Sequence, residues 1–189
     1  MNGLRLYLLR HGAPETPGLL MGRTDGMPMA AGIAACVEQA IGLDVQAIVT
    51  SDLTRAARAG VAIGSALGLP VTIDARWREL DFGAWDGLAS AQVEREALAR
   101  FWEDPDANPP PGGECWSALV VRVAEAIADL GDTPTLVVTH GGAMRAALAH
   151  LCGFGPAQLW AIDLPYGALL SLNLWPGVPP SGQIAGLRA

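Results

Sequence analysis

The sequence predicts an α/β fold: a three-layer sandwich with a mostly parallel central sheet and helices on both faces. Three observations carry this expectation. Short apolar runs of strand length alternate along the chain with longer stretches of helical character. The run Leu-Val-Val at 136–138 is apolar at consecutive positions, which suits a strand covered on both faces. No internal repeat or linker-like stretch interrupts the alternation, and the 189 residues suit one domain, 1–189, large enough to bury a core.

The elements follow in order. Leu4 to Leu9 (LRLYLL) reads as a buried strand, and residues 30–41 as a helix. Ala47 to Thr50 is a second strand, followed by an Ala-rich helix over 53–66 that Gly68 and Pro70 end. Val71 to Ile73 is a third strand. Residues 89–102 read as a helix ending before Asp104-Pro105. The Pro/Gly segment 108–113 then reads equally as a lid or as an ordinary loop. The clearest helix covers about 115–130, where Trp116, Leu119, Val120, Val123, Ile127 and Leu130 make one stripe at three- and four-residue steps. Thr135 to Thr139 is a strand, and His140-Gly141-Gly142 opens a helix to about Leu151. Residues 167–174 form a further strand, with 183–187 pairing at its edge.

Composition narrows the function. Lys+Arg number 12 against 19 Asp+Glu, a net charge of −7, and every one of those cations is arginine. This balance argues against nucleic acid or an anionic membrane as partner, since both need spread positive charge. Without lysine there is no Schiff base and no Walker-type phosphate lysine. Hydrophobic residues make up 51% of the chain, yet no uninterrupted apolar run reaches the roughly 18 residues of a membrane-spanning helix. Arg10 and His11 end the first apolar run too early for a signal peptide, so a cytoplasmic protein is expected. Cys36, Cys115 and Cys152 are odd in number and far apart, which predicts three packing residues rather than a disulfide framework or a metal site.

In α/β sheets ligands bind beyond the carboxyl ends of the strands. Four such places hold the chemistry. Strand one ends in Arg10-His11-Gly12, strand two in Ser51-Asp52-Leu53-Thr54-Arg55, and strand four in Thr139-His140-Gly141-Gly142. After strand three come Glu79, Asp81 and Phe82-Gly83-Ala84-Trp85-Asp86-Gly87. The set suits phosphoryl transfer. Arginine supplies a permanently charged fork that grips phosphate oxygens. The helix N-terminus after strand four offers free N–H groups to an anion, and glycine lets backbone approach a ligand. Neutral imidazole is a nitrogen nucleophile near pH 7, and a carboxylic acid such as Glu79 can protonate a leaving alkoxide.

On these residues the chain resembles the histidine phosphatase superfamily, also called phosphoglycerate-mutase-like. Arg10-His11-Gly12 matches its strand-one signature, and Ser51 to Arg55 its Ser-x-Leu-x-Arg element. Glu79 to Gly87 matches Glu-x-x-x-Gly-x-x-x-Gly, and Val138 to Arg145 its second histidine element. Within the family, residues 78–87 and Pro110-Pro111-Gly112-Gly113-Glu114 are most similar to the alpha-ribazole phosphatases of cobalamin synthesis.

The resemblance implies a phosphomonoesterase working through phosphohistidine on a small phosphorylated metabolite, with no metal or organic cofactor. It implies that His11 attacks phosphorus, that Arg10, Arg55 and His140 clamp the phosphoryl oxygens, and that Glu79 donates and later accepts the proton. Gly141 at the helix N-terminus and Arg23 of the Gly22-Arg23-Thr24-Asp25 loop are further expected phosphate or substrate contacts. The chain departs from the family's common forms at Ala13-Pro14, where Glu-Thr or Glu-Ser follows the glycine, at Pro17, where asparagine is common, and at Cys115, where serine is common. Two other functions compete with this reading: a phosphoglycerate-type mutase, and a phospholigand-binding protein with little turnover. Asp81 rivals Glu79 as the acid. Arg58, one turn after Arg55, reads as a solvated or carboxylate-paired side chain, and Asp86 as a turn residue. Trp85 and Trp102 read as core or rim packing ahead of a stacking role.

Overall fold

The computed structural model describes residues 3–189. Its sheet has six strands: β1 (Leu4–Arg10), β2 (Ala47–Thr50), β3 (Val71–Ile73), β4 (Thr135–Thr139), β5 (Leu169–Trp175) and β6 (Ser181–Arg188). Their order across the sheet is β3-β2-β4-β1-β5-β6. β3, β2, β4 and β1 run parallel, whereas β5 and β6 are antiparallel to their neighbours. The helices are α1 (Ala30–Ala40), α2 (Thr54–Leu67), α3 (Arg95–Glu103), α4 (Trp116–Ala128), α5 (Gly141–Cys152) and α6 (Pro156–Trp160). The expected α/β sandwich with a mostly parallel sheet is the observed architecture.

Side chains alternate across the sheet and so build two cores. Leu6, Leu8 and Val137 pack on one face with Leu119 and Val123 of α4 and Met144 and Leu148 of α5. Tyr7, Leu9, Leu136 and Val138 pack on the other with Cys36 and Ala40 of α1 and Ala56, Ala59 and Ile63 of α2. Covering on both faces is why the central strands carry apolar residues at successive positions. β6 is mostly exposed and closes the antiparallel edge. Among the described residues, no helix is long and apolar enough to cross a membrane.

The structure corrects the sequence reading in two places. The helix expected over 89–102 is a 3-10 turn at Ser90–Gln92 followed by α3, which starts only at Arg95. Glu94 sets that start: its carboxylate accepts the N–H groups of Glu96 and Ala97 at 2.8 and 2.7 Å. Glutamate is not among the usual capping residues, so the boundary carries no ordinary signal. The five-residue α6 was not anticipated, although Gly155-Pro156 is a standard opening with proline at the first turn. Gly68 does end α2, in the left-handed conformation at φ 68°.

Gly12 shows how tightly the loop after β1 is seated. A Cβ there would overlap the backbone of Gly32 in α1, so two glycines let the strand-one loop cross the helix. Replacing Gly12 by alanine should destabilise the fold by about 1–3 kcal/mol, as overpacking does. Thermal unfolding of the variant checks this, and an unchanged Tm would contradict the crossing.

Candidate active site

Strand register brings the site together. Arg10 pairs with Thr139 across β1 and β4, and Thr50 pairs with Val138 across β2 and β4. The strands are parallel, so His11, Ser51 and His140 leave the sheet on the same edge. The two imidazole centroids lie 5.0 Å apart, and His140 Nε2 is 3.0 Å from Ser51 Oγ. Both histidines are buried.

His11 is oriented by its own backbone. Its Nδ1–H donates to the Gly12 carbonyl at 2.7 Å, which leaves Nε2 with the free lone pair. Burial, then the charge of Arg55, and further Arg10 push the imidazole down from 6.5 to about 3, against the opposing hydrogen bond to Gly12. Burial lowers His140 well below its ordinary range too, with His11 and the arginines adding to it. Both rings are therefore neutral at pH 7, and His11 Nε2 can act as a nucleophile.

Two guanidiniums flank the imidazoles. Arg10 donates from Nη1 to the Leu164 carbonyl at 2.6 Å and lies over the Tyr166 ring, 4.1 Å from its centroid. Its buried Nε and His140 Nδ1 have no hydrogen-bond partner. Arg55, only 1% exposed, donates to the carbonyls of Met21 at 2.7 Å, Gly22 at 3.2 Å and Thr24 at 2.8 Å. It thereby seats the 21–25 loop over the first turn of α2. Burial lowers its pKa while nearby Glu79 and Asp25 oppose that, and an arginine so placed stays charged at neutral pH.

Glu79 reaches the site from the segment after β3. Its Oε2 accepts the Gly142 N–H of α5 at 3.0 Å, and its Oε1 accepts the Leu80 N–H at 2.8 Å. The helix N-terminus thus anchors the Glu79 carboxyl group. A Cβ on Gly142 would overlap Glu79 Oε1, so the His-Gly-Gly element needs its second glycine to admit the acid. The Thr139 hydroxyl donates to the Trp77 carbonyl at 2.7 Å and ties β4 to the same segment.

Other candidates fall elsewhere. Asp81 accepts the Gly83 N–H at 2.9 Å and pairs with Arg23 at 3.1 Å. Arg23 sits exposed in the rim loop, so contact with a phosphate requires it to leave that pair. Asp86 does more than a turn residue: it accepts the N–H groups of Arg23 at 2.6 Å and Thr24 at 2.8 Å, fixing the loop that Arg55 holds from below. Arg58 is exposed. Trp85 is core, edge-on to Phe101, and Trp102 packs edge-on against Trp160 at the surface. The 108–113 loop is fastened to the acid-bearing segment, with Ala84 N–H donating to the Pro111 carbonyl at 2.9 Å. Cys115 stands at the α4 N-cap without a side-chain capping bond. Among the described residues, no group of three or more His, Cys, Asp or Glu side chains is placed to hold a metal ion.

Tyr166 was missed by sequence reasoning. Its ring lies 5.4 Å from that of His11. It arrives because Gly167 N–H donates to the carbonyls of Arg10 and His11, both at 3.2 Å. The only local signal is its place in Pro165-Tyr166-Gly167, just before the antiparallel strand pair.

The chain matches the histidine phosphatase superfamily (branch 1) over residues 6–180. It belongs to that family. A glucosyl-3-phosphoglycerate phosphatase of Mycolicibacterium vanbaalenii is 32% identical over 179 residues, covering 84% of this chain and 78% of that protein. The structure of a mycobacterial glucosyl-3-phosphoglycerate phosphatase complexed with VO3 superposes with a TM-score of 0.86 at 28% identity, covering 98% of this chain and 99% of that one. A putative alpha-ribazole-5'-P phosphatase from Escherichia coli superposes with a TM-score of 0.85 at 25% identity, covering 100% and 97%. The likeness to alpha-ribazole phosphatases is therefore shared with the glucosyl-3-phosphoglycerate phosphatases and does not single out one substrate. This histidine phosphatase is an enzyme of the phosphatase class.

Gly142→Ala should push the Glu79 carboxyl off the α5 N-terminus and cut kcat/KM toward phosphomonoesters by roughly 100-fold, the scale of an ångström's misplacement. Steady-state kinetics check it, and wild-type rates would contradict the contact. The buried imidazoles also make the fold acid-sensitive. His11 binds its proton near pH 3 when folded and near 6.5 when unfolded, and His140 is displaced in the same direction. Below 6.5 the unfolded chain takes up protons that the folded one refuses, so stability falls as pH drops through that window. The limiting slope is about 1.4 kcal/mol per pH unit for each histidine. His11→Asn and His140→Asn should each flatten the decline in Tm between pH 6.5 and 4, and variants as acid-sensitive as wild type would contradict the buried neutral imidazoles.

Proposed function

We propose that this protein is a phosphomonoesterase that passes a phosphoryl group from a small phosphorylated metabolite to His11 and then to water. One observation carries the reading most: His11 presents an unprotonated Nε2, its proton held on Nδ1 by the Gly12 carbonyl, beside two arginines and a second neutral histidine. In the first step Nε2 attacks phosphorus and the phosphorus–oxygen ester bond breaks. Glu79, protonated, gives its proton to the departing oxygen. In the second step Glu79 as carboxylate takes a proton from water, the resulting hydroxyl attacks the phosphohistidine, and the phosphorus–nitrogen bond breaks to release phosphate and neutral His11.

Arg10, Arg55 and His140 hold the transferring group. Arg10 Nε and His140 Nδ1 are buried without partners, which fits two donors aimed at phosphoryl oxygens. Ser51 Oγ accepts the Leu53 N–H at 3.3 Å and can direct its own hydrogen at His140 Nε2, leaving the imidazole proton on Nδ1. The Gly141 N–H at the start of α5 adds a further donor, and Arg23 joins from the rim on leaving Asp81. The VO3 complex of the mycobacterial relative supports an oxyanion of phosphate-like shape as the ligand. The substrates to test first are glucosyl-3-phosphoglycerate and alpha-ribazole 5'-phosphate, the two compounds that similar proteins are named for.

The experiment is a panel of those two esters with sugar phosphates, nucleotides and phosphoglycerates, combined with alkaline quenching to trap an acid-labile phosphoenzyme. His11→Ala should abolish both turnover and trapping. A His11→Ala protein that hydrolyses at the wild-type rate would sink the reading. The first step needs protonated Glu79, so kcat/KM should peak on the acid-to-neutral side, and a maximum above about pH 9 would contradict the role of the acid.

A further inference from the structure

The segment that carries Glu79 has almost no secondary structure to hold it. Only the 3-10 turn Ala75–Trp77 precedes it, and the carbonyls of Arg76, Arg78 and Glu79 meet no strand or helix partner. One side chain from α4 takes all three. Arg122 Nη1 donates to Arg76 at 2.7 Å and to Arg78 at 2.8 Å, and Nη2 donates to Glu79 at 2.8 Å. The remaining donors form a fork on Glu114, Nε to Oε1 at 2.7 Å and Nη2 to Oε2 at 2.8 Å. All five N–H groups of the guanidinium are used. Glu114 also grips the chain beyond the acid, since its N–H donates to the Asp81 carbonyl at 2.9 Å and its Oε2 accepts the Asp81 N–H at 3.3 Å. The pair is largely buried, with side chains 17% and 12% exposed.

We propose that Glu114 and Arg122 are positioning residues for the general acid: together they fix the backbone on both sides of Glu79 and so set where its carboxyl meets the leaving oxygen. The proposal rests on the phosphatase reading and deepens it. The physical reason is leverage. The Glu79 carboxyl is pinned at one end by the Gly142 N–H, while its own carbonyl is pinned by Arg122. A backbone released from the guanidinium moves relative to α5, and proton transfer is steeply sensitive to such displacement. A buried fork also needs its counter-charge, because a guanidinium left without Glu114 loses the partner that holds its plane. Neither side chain hydrogen-bonds Arg10, His11, Arg55 or His140. Their removal should therefore harm protonation of the leaving group more than phosphoryl binding.

The test uses two esters that differ in how far the leaving oxygen needs a proton. The alkoxide of glycerol 3-phosphate needs the acid, whereas the nitrophenolate of 4-nitrophenyl phosphate departs with little help. kcat/KM is measured on both for wild type, Glu114→Gln, Arg122→Lys and the reference variant Glu79→Gln. Each pair of rates comes from one preparation, so the alkyl-to-aryl ratio does not depend on the fraction of folded protein. The expected result is a ratio lowered at least about tenfold in Glu114→Gln and Arg122→Lys, in the same direction as in Glu79→Gln. Lysine offers three donors where five are used, so Arg122→Lys keeps the charge and loses the grip. A wild-type ratio in both variants, whether the two rates fall together or not at all, overturns the proposal while leaving the phosphatase reading intact. The phosphatase reading fails separately, if wild type hydrolyses no ester of the panel above.

Discussion

Across parallel β1 and β4 Arg10 faces Thr139, and across β2 and β4 Thr50 faces Val138, so the residues that follow each strand emerge level on one sheet edge. The rest of the site depends on that register. It sets His11 beside His140, puts Ser51 within hydrogen-bond distance of His140, and starts α2 where Arg55 can look back over the same edge. A slip of one residue in either pairing would turn each strand's buried side chains to the wrong face, so the two cores enforce the alignment of the site.

Burying two imidazoles among guanidiniums has an electrostatic consequence. Desolvation and positive neighbours both disfavour protonation, so the rings stay neutral where their charge would repel the arginines. The Glu79 carboxyl is the counterweight, seated on the α5 N-terminus next to Arg55. Loss of stability in acid and a neutral His11 imidazole thus have one origin, the burial of the strand ends.

Several of the chain's arginines organise backbone. Arg10, Arg55, Arg122 and Arg145 each donate to backbone carbonyls outside the strands: Leu164 for Arg10, the 21–24 loop for Arg55, residues 76–79 for Arg122, and Gly141 of α5, Leu159 of α6 and Ile162 for Arg145. Loops around a strand-edge site have carbonyls with no ladder partner, and a fork of five donors satisfies several at once. A lysine would offer three donors from one point. The net charge of −7 is therefore compatible with an interior organised by arginine: Arg55 is buried, and Arg10, Arg122 and Arg145 are half-buried where they hold these carbonyls.

By itself the sequence determined the α/β alternation, the central strands and the residue types at their ends, because period, apolar runs and Arg-His-Gly or His-Gly-Gly punctuation are local properties of the chain. It also singled out Arg10, His11, Arg55, Glu79 and His140 as candidates by their place in recognisable elements, and these residues lie together at one sheet edge. The tertiary structure alone decided what depends on distant partners. Tyr166 comes to His11 because Gly167 binds the strand-one carbonyls. Arg122 reaches Glu79 across 43 positions of chain. No window of sequence holds those contacts, since each joins segments separated by whole elements and is set by how the helices pack on the sheet.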